Sequence, residues 1–120
     1  SAYFLGGVIP YETKQKIKIL KVKEETVKQY SVVSENVASE MAVGCKELFG
    51  SDISLSTTGV AGPGKGEDGN DVGTVFYTIK IHDFKKTYSL HLPHLERNDF
   101  QYFVSQKVIQ DLVTVLIEQF

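Results

Sequence analysis

Between residues 35 and 49 apolar side chains recur at Val37, Met41, Cys45 and Leu48, a spacing of four, four and three that predicts one buried stripe on a helix. Ser34 precedes it as a capping residue, Glu35 sits at its positive end, and Gly50 ends it. Upstream, residues 11–20 (YETKQKIKIL) predict a helix from their unbranched residues, although the Lys-Ile alternation would also suit a strand. Residues 24–30 predict a second short helix. Ile53, Leu55 and Thr57 alternate with Ser54, Ser56 and Thr58, a short strand. Residues 74–82 and 86–92 alternate as well and are joined by Asp83-Phe84-Lys85, which predicts an antiparallel hairpin closed by Pro93. Asn98 or Asp99 then caps a long last helix with two apolar stripes, Phe100/Phe103/Val104/Val108/Leu112/Val115 and Tyr102/Ile109/Val113/Ile117/Phe120. The strand-like run Ser1 to Val8 completes the order: strand, three helices, strand, glycine loop, hairpin, helix. That order predicts an α/β fold, a three-layer α/β/α sandwich with a mixed sheet. The abrupt hydrophobic start suggests an N-terminally truncated piece.

A chain of 120 residues is enough for a single domain spanning residues 1–120, and its 42% apolar and 23% charged residues exclude a disordered chain. Twelve Lys and one Arg against fifteen acidic residues give a net charge of −2, with no long run of one sign. Bulk attraction to nucleic acid or to a membrane surface is therefore not expected. The lone Cys45 cannot form an internal disulfide, and a cytoplasmic location is expected.

Residues 59–73 hold six glycines. Gly59 to Lys65 fits G-x-x-x-x-G-K, but Gly66 follows where a P-loop needs Ser or Thr, and no helix begins there. Gly64 to Gly69 fits G-x-G-x-x-G and leads into a strand, so the dinucleotide fingerprint fails too. What remains is a concave nest of backbone N–H groups beside Thr57 and Thr58, able to hold an anion or merely to turn between strands. His91 and His94 have no third ligand at metal spacing, so no metal and no cofactor are expected. Cys45 lies on an apolar stripe and reads as a core residue. Tyr11 and Lys16 could bring a phenol and an amine together, and a buried Lys can serve as a general base; a helix also carrying Lys14, Lys18 and Lys21 equally describes a solvated face. Arg97, the only Arg, suits a phosphate or an ordinary first-turn surface position.

These pieces stand in the order of one family. Ser1-Ala-Tyr-Phe-Leu-Gly-Gly-Val-Ile-Pro-Tyr11 through Lys16, Val33-Ser-Glu through Met41-Ala-Val-Gly44, Thr58-Gly-Val-Ala-Gly-Pro63-Gly64 and Val72-Gly-Thr-Val75 resemble the C-terminal domain of the competence/damage-inducible protein CinA, which also occurs alone as nicotinamide mononucleotide deamidase. The chain departs from that pattern in two places: Asn70-Asp71 stands where Lys-Pro precedes V-G-T-V, and Gln101 stands where a second Arg would follow Arg97. The family's E-S-x-T-G-G motif, with its nucleophilic Ser, would lie upstream of Ser1.

The resemblance implies an amidohydrolase of the pyridine nucleotide salvage type: hydrolysis of nicotinamide mononucleotide to nicotinic acid mononucleotide and ammonia. Lys16 would deprotonate the Ser and Tyr11 would orient it. Thr58, Gly59, Ala61, Gly62, Gly64 and Arg97 would hold the nucleotide or the oxyanion. Without the Ser, the 120 residues by themselves are expected to be inactive. The competing expectation is a non-catalytic nucleotide-binding or scaffold domain of the same fold. The two stripes of the last helix further predict a homodimer or higher homo-oligomer, through that helix or the Ser1 to Val8 run.

Overall fold

A computed structural model describes residues 2–120. Three helices come first: α1 (Thr13–Leu20), α2 (Glu24–Tyr30) and α3 (Glu35–Phe49). Strands β1 (Ile53–Gly59), β2 (Thr74–Ile81) and β3 (Phe84–His91) follow, and α4 (Arg97–Gln119) ends the chain. The sheet order is β1-β2-β3, with Leu55 opposite Ile79 and Tyr77 opposite Tyr88. Helices lie on both faces, α3 against one and α4 against the other, as in the expected α/β sandwich.

Both strand pairs are antiparallel. A mixed sheet would have needed the run up to Val8 as a further strand. Residues 2–10 instead form no strand, and Ser1 lies outside the described residues. Two adjacent glycines, Gly6 and Gly7, weaken a strand there, and Pro10 cannot donate to a ladder. Val8 turns inward onto Leu20, Val22, Val37 and Met41, while Tyr3, Leu5 and Ile9 stay exposed.

The two faces of the sheet differ in chemistry. Toward α4 point Ile53, Leu55, Val75, Tyr77, Ile79 and Ile81, packed under Phe100, Val104, Val108 and Val115. Among them Tyr77 stacks on Tyr88 with ring centroids 4.9 Å apart and donates its hydroxyl to Asp111 at 2.5 Å. Toward α3 point the hydroxyls of β1: Ser54 donates to the Ala42 carbonyl at 2.6 Å, Ser56 to Ala38 at 2.5 Å and Thr58 to Val32 at 2.9 Å. Ala38 and Ala42 are small enough to let the helix approach that closely. On its far side α3 meets α1 so tightly that a Cβ on Gly44 would lie 1.8 Å from the Leu20 carbonyl oxygen. Gly44 is thus required by contact, not by conformation.

Several boundaries move slightly from expectation. Tyr11 lies just before α1. The β2–β3 turn is the two residues His82-Asp83, with His82 at φ +47. Helix α4 begins at Arg97 behind Glu96, ahead of Asn98 and Asp99. On α3, Val37 and Met41 are buried but Leu48, the last position of the stripe, is 51% exposed.

Candidate functional site

The turn into α1 is closed by the Tyr11 amide donating to the Ile9 carbonyl at 3.0 Å, around Pro10. Lys16, one turn into the half-buried side of the helix, donates its Nζ to the Pro10 carbonyl at 3.2 Å. Burial disfavours the ammonium and lowers its pKa below the ordinary lysine value, with the Glu67 carboxylate pulling weakly the other way. Tyr11 stands 87% exposed beside it. Tyr11, Glu12, Thr13, Lys14 and Glu67 line a cavity of about 280 Å³ at this end of α1. Lys16 does not line that cavity; what links it to Tyr11 is the Pro10 turn, whose carbonyl its amine bonds and which Tyr11 follows.

The glycine loop, residues 60–73, bridges that corner to the end of β1. Thr58 is buried, and its hydroxyl faces inward to Val32 rather than toward solvent. Gly59 ends β1, and Ala61 packs beside the Val75/Tyr77/Phe100 cluster. Gly62 is buried at φ +87, and its carbonyl accepts Arg97 Nη1 at 2.9 Å. A Cβ on Gly64 would meet nothing within 4 Å, so the loop is open there. The amides of Val60, Gly66, Gly69 and Gly73 are bonded to main-chain carbonyls. Those four amides are therefore not free to hold an anion, and Pro63 has none to offer.

The middle of the loop is tied down by residues that the sequence pattern did not flag. Glu67 accepts the Thr13 hydroxyl at 2.8 Å. Asp68 Oδ2 accepts the Ser31 hydroxyl at 2.8 Å and the Val32 amide at 3.0 Å, and the amide bond first and the hydroxyl second hold its carboxyl below the usual carboxylate range. Asn70 donates to Ser31 Oγ at 2.7 Å, and Asp71 pairs with Lys65 at 3.7 Å. Both residues at the first departure from the family pattern thus have partners inside or beside the loop. A polar triplet in a glycine-rich segment signals a tie only once its partners, 37 to 54 positions away in the chain, are known.

Other candidates are accounted for by packing. Burial pushes the Cys45 thiol up, against a nucleophilic role. Ser34 Oγ accepts the Val37 amide at 3.2 Å, capping α3 as expected. Among the described residues no group of three or more His, Cys, Asp or Glu could hold a metal ion, and no helix is long and apolar enough to cross a membrane.

The family profile "CinA C-terminal domain" matches residues 1–116. A CinA-like protein of Chloroherpeton thalassium is 53% identical over 75 residues, covering 62% of this chain and 18% of the relative. A CinA-like protein of Fusobacterium nucleatum is 38% identical over 116 residues, covering 97% of this chain and 28% of the relative. The chain thus spans only a minor part of these relatives. Among solved structures, the competence damage-inducible protein A of Klebsiella pneumoniae superimposes with a TM-score of 0.89 at 28% identity, over 95% of this chain and 70% of that one. A CinA superfamily protein of Escherichia coli gives 0.84 at 32%, over 88% and 61%. With matching fold, matching sequence profile and the motif residues in place at the Pro10 turn and the glycine loop, the chain belongs to the CinA C-terminal domain family.

Proposed function

We propose that this chain carries the base and nucleotide-holding half of an amidohydrolase site acting on nicotinamide mononucleotide. The observation that carries the reading is Lys16, a half-buried amine disfavoured as ammonium and bonded to the carbonyl of Pro10, the residue before the exposed Tyr11. A neutral amine can take the proton of a serine hydroxyl as that oxygen attacks the amide carbon, then return it to the departing ammonia; water hydrolyses the ester that remains. The serine comes from a segment preceding the chain, as the family resemblance implies. Tyr11 orients the attacking hydroxyl, and the loop amides of Ala61, Gly62 and Gly64 face the nucleotide or the developing oxyanion. Gly59 and Gly62 shape that stretch, while Arg97 supports it by holding the Gly62 carbonyl.

The departures from the family pattern at Asn70-Asp71 and Gln101 favour a second reading, a nucleotide-binding or scaffold domain without chemistry. The two readings separate in one experiment. In protein extended upstream to include the serine segment, ammonia release from nicotinamide mononucleotide is measured for wild type and Lys16→Ala. The catalytic reading expects a loss of roughly two to four orders of magnitude in kcat with little change in binding. Near-normal turnover in Lys16→Ala overturns the assignment of the base, and nucleotide binding with no turnover in the extended wild type selects the scaffold reading.

A further inference from the structure

Helix α1 starts with an electrostatic deficit. Its capping position is Glu12, whose side chain makes no cap hydrogen bond, and no acidic residue lies in its first turn. The first-turn amides and their positive end would ordinarily attract a carboxylate from the helix itself. Here a carboxylate arrives from the glycine loop: Glu67 Oε2 accepts the hydroxyl of Thr13, the first residue of α1, 54 positions away. Lys16 follows Thr13 by one turn, so the two side chains project from the same edge of the helix. Asp68, next to Glu67, is anchored to Ser31 and Val32, which fixes the loop where Glu67 can reach.

We propose that Glu67 is a positioning residue that sets the basicity of Lys16, its carboxylate held by Thr13 at the start of α1 and acting on that amine from beyond ion-pair contact. The inference rests on the reading of Lys16 as the base for its catalytic meaning, though not for its electrostatics. The other groups around Lys16 do not fill this role. Pro10 offers a neutral carbonyl. Helix α3 meets α1 with Val37, Met41, Gly44 and Cys45, of which only the thiol titrates, and burial keeps that thiol neutral. Glu12 and Lys14, from the helix's own start, oppose each other in sign. A carboxylate near the amine favours the ammonium and so works against the burial that disfavours it, leaving the amine poised between the two.

The test is the titration of the Lys16 amine in the 120-residue chain, followed by carbon-13 chemical shift of the labelled side chain. In Glu67→Gln, which keeps an acceptor for Thr13 and removes the charge, the Lys16 midpoint should fall. In Asp71→Asn, a loop carboxylate that pairs with Lys65, it should stay where it is. Wild type in molar salt, where charges are screened within about 3 Å, should move in the same direction as Glu67→Gln without any substitution. An unchanged or raised midpoint in Glu67→Gln overturns the proposal, and so does an equal fall in Asp71→Asn. In extended, active protein the acid limb of the pH–rate profile should move to lower pH in Glu67→Gln. If Lys16→Ala keeps turnover while the midpoint falls as expected, the catalytic reading fails and the charge coupling stands; if the midpoint does not move while Lys16→Ala is inactive, the reverse holds.

Discussion

Ser31 and Asp68 are joined by a 2.8 Å hydrogen bond, made by a serine whose backbone sits at φ +81, ψ 156, a conformation normally left to glycine. Its hydroxyl donates to Asp68 and accepts from the Val33 amide at 3.2 Å and from Asn70 at 2.7 Å. Three hydrogen bonds from one small side chain hold the α2–α3 junction and the glycine loop together.

The Asp68 carboxyl is stabilised as its anion by the Val32 amide and the Ser31 hydroxyl, so its folded pKa lies below the ordinary 3.8. The unfolded chain therefore binds the proton first as pH falls, and the stabilisation is complete above 3.8 and lost on acidification through the folded value. Urea midpoints measured from about pH 6 down to about pH 3 should fall more steeply for wild type than for Asp68→Asn. Parallel curves would remove Asp68 from the acid response.

Ser31 offers a comparison of two small substitutions. Ser31→Ala loses the three bonds and keeps the backbone penalty, and should cost about 2 kcal/mol. Ser31→Gly loses the same bonds but relieves the backbone, and should be the milder of the two. Denaturant unfolding showing Gly worse than Ala would mean that chain entropy outweighs the relief.

Gly44→Ala should be far more damaging than a methyl group normally is, because its Cβ would fall 1.8 Å from the Leu20 carbonyl oxygen and only a shift of α1 against α3 can make room. A loss of at least about 3 kcal/mol is expected by thermal or urea unfolding. Gly64→Ala, where the added carbon meets nothing within 4 Å, is the control and should change stability by no more than about 1 kcal/mol.

The outer face of α4 leaves Tyr102 67%, Ile109 54%, Val113 50% and Ile117 77% exposed. At about 25 cal/mol per Å² such a face favours association, and a homodimer through α4 is expected. Sedimentation at micromolar concentration should show the dimer in wild type and a shift toward monomer in the double variant Ile109→Glu, Ile117→Glu. Wild type sedimenting as a cooperatively unfolding monomer would show that α4 is content with its inner face alone.

Much of this fold is legible in residue patterns, because each helix and strand obeys its own local period. The Ser34 cap, the Gly50 stop and the alternation of residues 74–81 all report local preferences that tertiary packing leaves intact. The initial strand fails for a related reason: alternation up to Val8 is weak, two glycines interrupt it, and pairing depends on a neighbour that local pattern cannot supply. In β1 the alternation is right, yet both faces prove to be covered, and the side toward α3 carries serines and threonine. Tyr11 and Lys16 became candidates only through the family resemblance, since their own pattern also describes a solvated lysine face; the structure brings both to the Pro10 turn. Glu67 and Asp68 act across 54 and 37 positions, through a loop whose path no periodicity describes.

The hydroxyl-lined underside of β1 bears on how this domain can move. A helix resting on aliphatic side chains can slide by small shears with little loss, since one methyl contact replaces another. Under α3 a slide of one residue would break the Ser54 and Ser56 bonds together, each leaving a donor without water to replace its partner. The interface is therefore indexed, like a key cut to one depth, and α3 and β1 move as one rigid piece. Motion within the domain is then left to the glycine loop, which carries Glu67 and reaches the start of α1 through the Thr13 hydroxyl.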